Sequence, residues 1–202
     1  MPNSSKQAEY HAVKMARKKA HIDASIEKAT SEKGVLIVIT GNGKGKSTSG
    51  FGMVARALGH GLKVGVCQFI KSRTDTGEEA FFKSQPSCDW HVLGDGFTWD
   101  TQNLEQDIAT SQRAWAVASA MLSDPSYDLV VLDELTYLLS YQYLDKEMVL
   151  SALKNRPAQQ HVVVTGRSAI AELRDLADTV SDIKEEKHAY KSGIIAQKGV
   201  DF

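Results

Sequence analysis

The chain has 202 residues, of which 42% are hydrophobic and 24% charged, and its formal net charge is −1. That length suits one domain with a sizeable core, and the near-neutral charge excludes a general electrostatic pull toward nucleic acid or anionic lipid. No apolar run is long enough to span a bilayer, and the N-terminus lacks the apolar core of a secretory signal. The two cysteines, Cys67 and Cys88, form neither a CxxC pair nor a disulfide framework. They read as packing residues in a reducing, cytoplasmic setting.

Residues 8–30 have helical composition, with Val13, Ala16, Ala20, Ile22, Ile26 and Ala29 near i, i+3, i+4 spacing. The apolar stripe is thin and the remainder charged, so this helix would be marginal alone in water. It is expected to dock on its own domain or on a partner subunit, the alternative being a frayed tail. The best break falls near Gly34, which gives an N-terminal helical arm (1–33) and a core domain (34–202).

From residue 35 the pattern alternates. "VLIVIT" (35–40) is a β-branched strand bounded by Gly34 and Gly41, and "STSGFGMVARALGHG" is a helix closed by Gly59 or Gly61. "KVGVCQFI" (63–70) and "CDWHVL" (88–93) are further strands. "NLEQDIATSQRAWAVASAML" is the clearest helix, with Leu104, Ile108, Trp115, Ala118 and Leu122 marking one face. "YDLVVLDEL" (127–135) is a buried strand ending in acids. "KEMVLSALKNR" is a helix stopped before Pro157, "QHVVVTGR" (160–167) another buried strand, and "SAIAELRDLA" the last clear helix. "DTVSDIKEEKH" returns to the sheet. Apolar strands alternating with helices predict an α/β fold, a mainly parallel sheet covered by helices on both faces, and the glycine–lysine loop after the first strand adds the expectation of a RecA-like P-loop NTPase.

The first strand runs into TGNGKGKS. Successive glycines let backbone N–H groups point into one concavity, and the following helix adds its positive end. Gly41, Asn42, Gly43, Lys44, Gly45, Lys46, Ser47 and Thr48 are therefore the expected phosphate-binding set. Lys46 reaches the phosphates as a point charge, and Ser47 or Thr48 offers a hydroxyl to Mg²⁺. A strict GxxxxGK[ST] match needs glycine at position 40, where this sequence has Thr40. Lys44 adds positive charge. "VVLDEL" supplies the matching acids: Asp133 and Glu134 end a buried strand on the same edge as the loop. One of them would hold the metal, and in an ATPase the second would activate water. The alternative for Asp133 is a helix N-cap.

In "GDGFTWD" (94–100), Phe97 and Trp99 alternate on a glycine-flanked segment without apolar periodicity. Such aromatics cover a large flat ligand or anchor a core. With this segment in hand, the chain resembles the ATP:corrinoid adenosyltransferases of the P-loop type, from about residue 35 to the end. The motifs that carry the likeness are "TGNGKGKST", "VCQFIKS", "GFTWDTQN", "VVLDELTYLLSYQYL", "VVVTGR", "LADTVSDIK" and "KHAYKSGIIAQKGVDF". The family usually reads FIKG where this chain has Ser72, and "RTDTGEEAFF" is not close to the family pattern.

The resemblance implies that cobalt(I) of a reduced corrinoid attacks C5′ of ATP and that inorganic triphosphate leaves, in adenosylcobalamin biosynthesis or salvage. It implies Mg²⁺ (or Mn²⁺) on Ser47 and Glu134, with Asp133 as the other acid, and Lys44 and Lys46 neutralising the triphosphate. It gives Phe97 and Trp99 the lower face of the corrinoid, where apolar rings exclude the lower ligand and ease formation of cobalt(I). It also implies a homodimer whose arms fold over neighbouring sites, and an electron donor such as a flavodoxin or flavin reductase. Two other readings of the residues compete. A RecA-like regulatory ATPase would use the acid pair for hydrolysis and the arm for a partner. A small-molecule kinase would need an arginine-rich lid that this chain does not obviously have. Arg167, at the end of "VVVTG", touches phosphate or corrinoid amides or is a surface charge, and Lys71 is open between the nucleotide and the surface.

Overall fold

The computed structural model describes residues 3–70, 75–94 and 103–202. The chain divides into two compact units, 1–32 and 33–202. The first is one long helix, α1 (Asn3–Glu27). Tyr10, Val13, Ile22 and Ile26 are all exposed on it, so the thin apolar stripe has little to bury it within this unit.

The second unit runs β1 (Leu36–Thr40), α2 (Lys46–Gly59), β2 (Val64–Gln68), α3 (Gly77–Phe82), β3 (Cys88–Val92), α4 (Leu104–Ser123), β4 (Leu129–Asp133), α5 (Leu135–Ser140), α6 (Lys146–Lys154), β5 (His161–Thr165), α7 (Ala171–Leu176) and β6 (Thr179–Asp182). A 3₁₀ turn at Ala189–Ser192 follows. The six strands form one sheet in the order β3-β2-β4-β5-β1-β6, and every pairing is parallel. This is the parallel α/β architecture expected from the alternating pattern.

The sheet is apolar on both faces because its side chains alternate. Val130 and Leu132 of β4 point into a core shared with Ala114, Trp115, Ala118 and Leu122 of α4 and with Val149 and Leu153 of α6. Leu129 and Val131 point into the other core, with Phe51 and Val54 of α2. There Trp90 stacks on Phe82 at 5.7 Å and meets Phe51 at 5.0 Å. Gly50 brings α2 close to the sheet: an added Cβ would lie 3.3 Å from Thr165 Cγ2 and 3.6 Å from Val131 Cγ1. These contacts lay α2 across β4 and β5.

Two readings of the pattern need correction, and one helix lies where the pattern predicted no element. The α4 face is Thr110, Ser111, Ala114, Trp115, Ala118, Met121 and Leu122, and Leu104 is 60% exposed, because the first turn of the helix extends beyond the packed surface. The strand read through residue 135 stops at Asp133, and "LTYLLS" turns into the short helix α5. The short helix α3, capped by Thr76 Oγ1 accepting from Glu79 N–H, had not been expected from the apolar spacing.

Candidate active site

Because all strands run one way, the segments that follow them gather at the carboxyl edge. β5 lies between β1 and β4, so Thr40, Thr165 and Asp133 close three neighbouring strands on that edge. Positive φ angles cluster there, at Gly41, Gly45, Glu134, Gly166 and Ser168. Gly45 (φ 116°) is the N-cap of α2, a left-handed conformation that a side chain would strain. Gly43 is packed tightly: its N–H donates to Ile183 O at 2.7 Å, and an added Cβ would run into the backbone just beyond β6.

Lys46, the first residue of α2, is only 8% exposed, and its Nζ donates to Gly43 O at 2.7 Å. Burial pushes its pKa below the ordinary lysine value. The Glu134 and Asp133 carboxylates oppose that shift, while Arg167 and Lys44 add to it. Four charged residues, from three separate stretches of sequence, thus act on Lys46. Ser47 is half-buried, whereas Asn42, Lys44 and Thr48 are exposed. Among the described residues no group of three or more His, Cys, Asp and Glu side chains is arranged to hold a metal.

Asp133 is fully buried. Its Oδ1 accepts from Thr165 Oγ1 at 2.7 Å and its Oδ2 from Gln68 Nε2 at 3.1 Å. The Thr165 hydroxyl also accepts from Glu134 N–H at 3.1 Å, so one side chain fixes both acids. Glu134 itself sits at φ 65°, a left-handed conformation that costs a glutamate on the order of 1 kcal/mol. Asp133 is not a helix cap: the N-cap of α5 is Glu134, with no side-chain capping bond. Behind the pair, Thr136 Oγ1 donates to Arg167 O at 2.6 Å, and burial, followed by the charge of Glu134, raises the Tyr137 pKa.

Thr165, Gln68 and Thr136 lie within quoted motifs, but the sequence assigns none of them a role. The signal for Thr165 was available as the one polar residue closing the "VVVT" strand on the active edge. Gln68 and Thr136 carried no comparable mark. Phe97, Trp99 and Lys71 lie outside the described residues.

The model of the family described as ATP:corrinoid adenosyltransferase BtuR/CobO/CobP matches residues 32–202. The chain belongs to this family. It is 54% identical over 203 residues to a corrinoid adenosyltransferase of Pseudomonas aeruginosa, covering all of both chains. To the corrinoid adenosyltransferase of Escherichia coli K12 it is 46% identical, over 96% of this chain and 98% of that one. To corrinoid adenosyltransferase CobA of Salmonella typhimurium it is 48% identical, over 91% and 93%. In this adenosyltransferase chain a cavity of about 450 Å³ opens beside the glycine loop, bounded by Thr40, Gly41, Asn42, Arg174, Asp182 and Lys184. Another, of about 320 Å³, lies between Lys44 and the C-terminal segment. A wider cavity of about 720 Å³, walled by Ile108, Tyr143, Leu144 and Asp145, shares no residue with the loop.

Proposed function

We propose that the chain transfers the 5′-deoxyadenosyl group of ATP to the cobalt of a reduced corrinoid. The observation that carries this reading is the convergence of the glycine loop, the buried Lys46 ammonium, Arg167 and the Asp133–Glu134 pair on one sheet edge, in a chain of this family. The cobalt(I) electron pair forms the cobalt–C5′ bond as the C5′–O bond breaks. Triphosphate departs with the bonding electrons, and cobalt ends two oxidation levels higher.

Charge develops on the oxygen leaving C5′, so the anionic tail must be neutralised as a unit. Lys46 is suited to that task because it is already desolvated: a buried ammonium interacts more strongly with a phosphate than a hydrated one. The amides of the glycine loop and the N-terminus of α2 add partial positive charge at the same place. Thr165 and Gln68 hold Asp133, and Thr165 also holds the backbone at Glu134. The Asp133 carboxylate and the Glu134 backbone are therefore set before substrate arrives.

The donor set of Ser47, Glu134 and Asp133 is all oxygen, which suits Mg²⁺ or Mn²⁺. Asp133 already accepts from two side chains, so the first ligands we assign are Ser47 and Glu134, with the rest from phosphate and water. The metal's contribution when bound is to neutralise triphosphate charge. We assign Phe97 and Trp99 to the corrinoid's lower face, the arm to a homodimer, and the supply of electrons to a flavodoxin or flavin reductase in the cytoplasm. The N-terminal arm (1–33) and the core (34–202) are treated as separate functional parts.

The test is product analysis with MgATP, with and without a chemically reduced corrinoid. The reading expects triphosphate and a cobalt–carbon absorbance change in equal amounts, and only when the corrinoid is present. Corrinoid-independent ADP would support a RecA-like ATPase instead.

A further inference from the structure

The C-terminal segment returns to the phosphate loop and places a carboxylate on it. Lys44 Nζ meets Asp201 Oδ1 at 2.6 Å, with both side chains partly exposed. The carboxylate is held from within the tail: Asp201 Oδ2 accepts from Gln197 N–H at 2.8 Å, and Asp201 N–H donates to Gln197 O at 2.8 Å. Gly199 N–H donates to Phe202 O at 2.7 Å. The end of the chain is thus a small closed turn that presents one acid to the loop.

Burial contributes little to keeping that turn in place. Tyr190, Ile194, Ile195 and Val200 are 79%, 51%, 77% and 67% exposed. A segment with few buried apolar contacts and a solvent-exposed ion pair belongs to the low-stability end of a fold.

We propose that Asp201 is an internal counter-ion for Lys44, which a polyphosphate must displace and which sets how tightly the anionic tail is held. The inference rests on the phosphate-loop reading given above. One ammonium cannot give its full charge to a carboxylate and to a phosphate at once, so ligand binding and tail docking compete for Lys44. The competition has a use in this reaction. The triphosphate product carries more charge than the same group carried within ATP, and would otherwise be held more tightly than the substrate. When Asp201 re-forms its pair, it favours release.

The experiment is calorimetric titration of the full chain with magnesium tripolyphosphate at low salt, in four forms: native, Asp201→Asn, Lys44→Met and the double variant. Asp201→Asn is expected to bind about two- to fivefold more tightly, the range spanned by a partly exposed ion pair. Lys44→Met is expected to bind more weakly and to erase the effect of Asp201→Asn. Tripolyphosphate is also expected to speed tryptic cleavage after Lys191 and Lys198 in the native chain. Unchanged or weaker binding by Asp201→Asn overturns the proposal, as does an effect that survives in Lys44→Met. Lys46→Met separates the two readings. If it leaves tripolyphosphate binding unchanged, the phosphate-loop reading itself fails; if it weakens binding while Asp201→Asn does nothing, only the counter-ion fails.

Discussion

The two ends of the same sheet use buried and half-buried polar side chains in opposite ways. At the amino end four of them serve backbone. Arg156 donates to Gly34 O at 2.9 Å, Leu153 O at 2.5 Å and Gln160 O at 3.0 Å. Gln160 Nε2 lies 3.1 to 3.2 Å from the carbonyls of Met121, Asp124 and Tyr127. His161 Nδ1 accepts from Val35 N–H, and Asp128 Oδ2 accepts from Lys63 N–H. These contacts pair main-chain groups that a loop would otherwise bury unpaired.

At the carboxyl end, charge faces charge. Lys46 is gathered against Glu134, Asp133, Arg167 and Lys44, and strained backbone collects beside them. The amino end is built for stability. The carboxyl end keeps a desolvated ammonium and strained turns that lower it, as the anion-binding role proposed above requires.

The largest expected effect is at Lys46. Lys46→Met should lower the rate of adenosyl transfer by about 10²- to 10³-fold, the loss typical of one preorganised transition-state donor, measured as cobalt–carbon bond formation. The same substitution should leave the unliganded protein as stable or more stable, because burial disfavours the charged lysine. The folded pKa lies below the ordinary value, so the unfolded chain binds more protons between the two. Native stability must rise as pH climbs through that window, and Lys46→Met should flatten the rise. A melting temperature that falls sharply in Lys46→Met would erase the contrast between the ends.

Gln160→Leu is the converse experiment. Orphaning the three carbonyls should cost about 1–3 kcal/mol, read as a shift in the urea midpoint, while kcat stays within about twofold, because no part of the glycine loop touches Gln160. A kcat loss beyond that would mean the two ends are coupled.

Thr165→Val tests the one hydroxyl that serves both acids. Removing it should cost about 1–2 kcal/mol of stability and a rate loss of about tenfold, smaller than at Lys46 because Thr165 acts through Asp133 and Glu134. Thr165→Ser should restore most of both. A rate unchanged in Thr165→Val would show that the acids need no such fixing.

The smallest effect is chemical. Burial pushes the Cys67 thiol up to about 12 in the core on the α4 face of the sheet. The native protein should therefore resist iodoacetamide at Cys67 at pH 8.5, and the urea-unfolded chain should not. Because the folded value is raised, this thiol's share of stability is intact below its ordinary value of 9.0 and is lost as pH rises toward 12. Rapid native alkylation at Cys67 would indicate that this core opens locally.

Local sequence by itself determined the alternation of strands and helices, both faces of apolar burial along "VVL" and "VVV", and the glycine–lysine loop. These follow from side-chain periodicity and from the conformations that only glycine adopts cheaply, which short windows record. It also placed Asp133 and Glu134 at a strand end. It could not show that Thr165 fixes that pair, that Leu104 lies beyond the packed face of its helix, or that Asp201 reaches Lys44. Only the tertiary structure decided those, because hydrogen bonds and ion pairs between residues 32 or 157 positions apart depend on strand order and on the chain's return path. Neither leaves a period in the sequence.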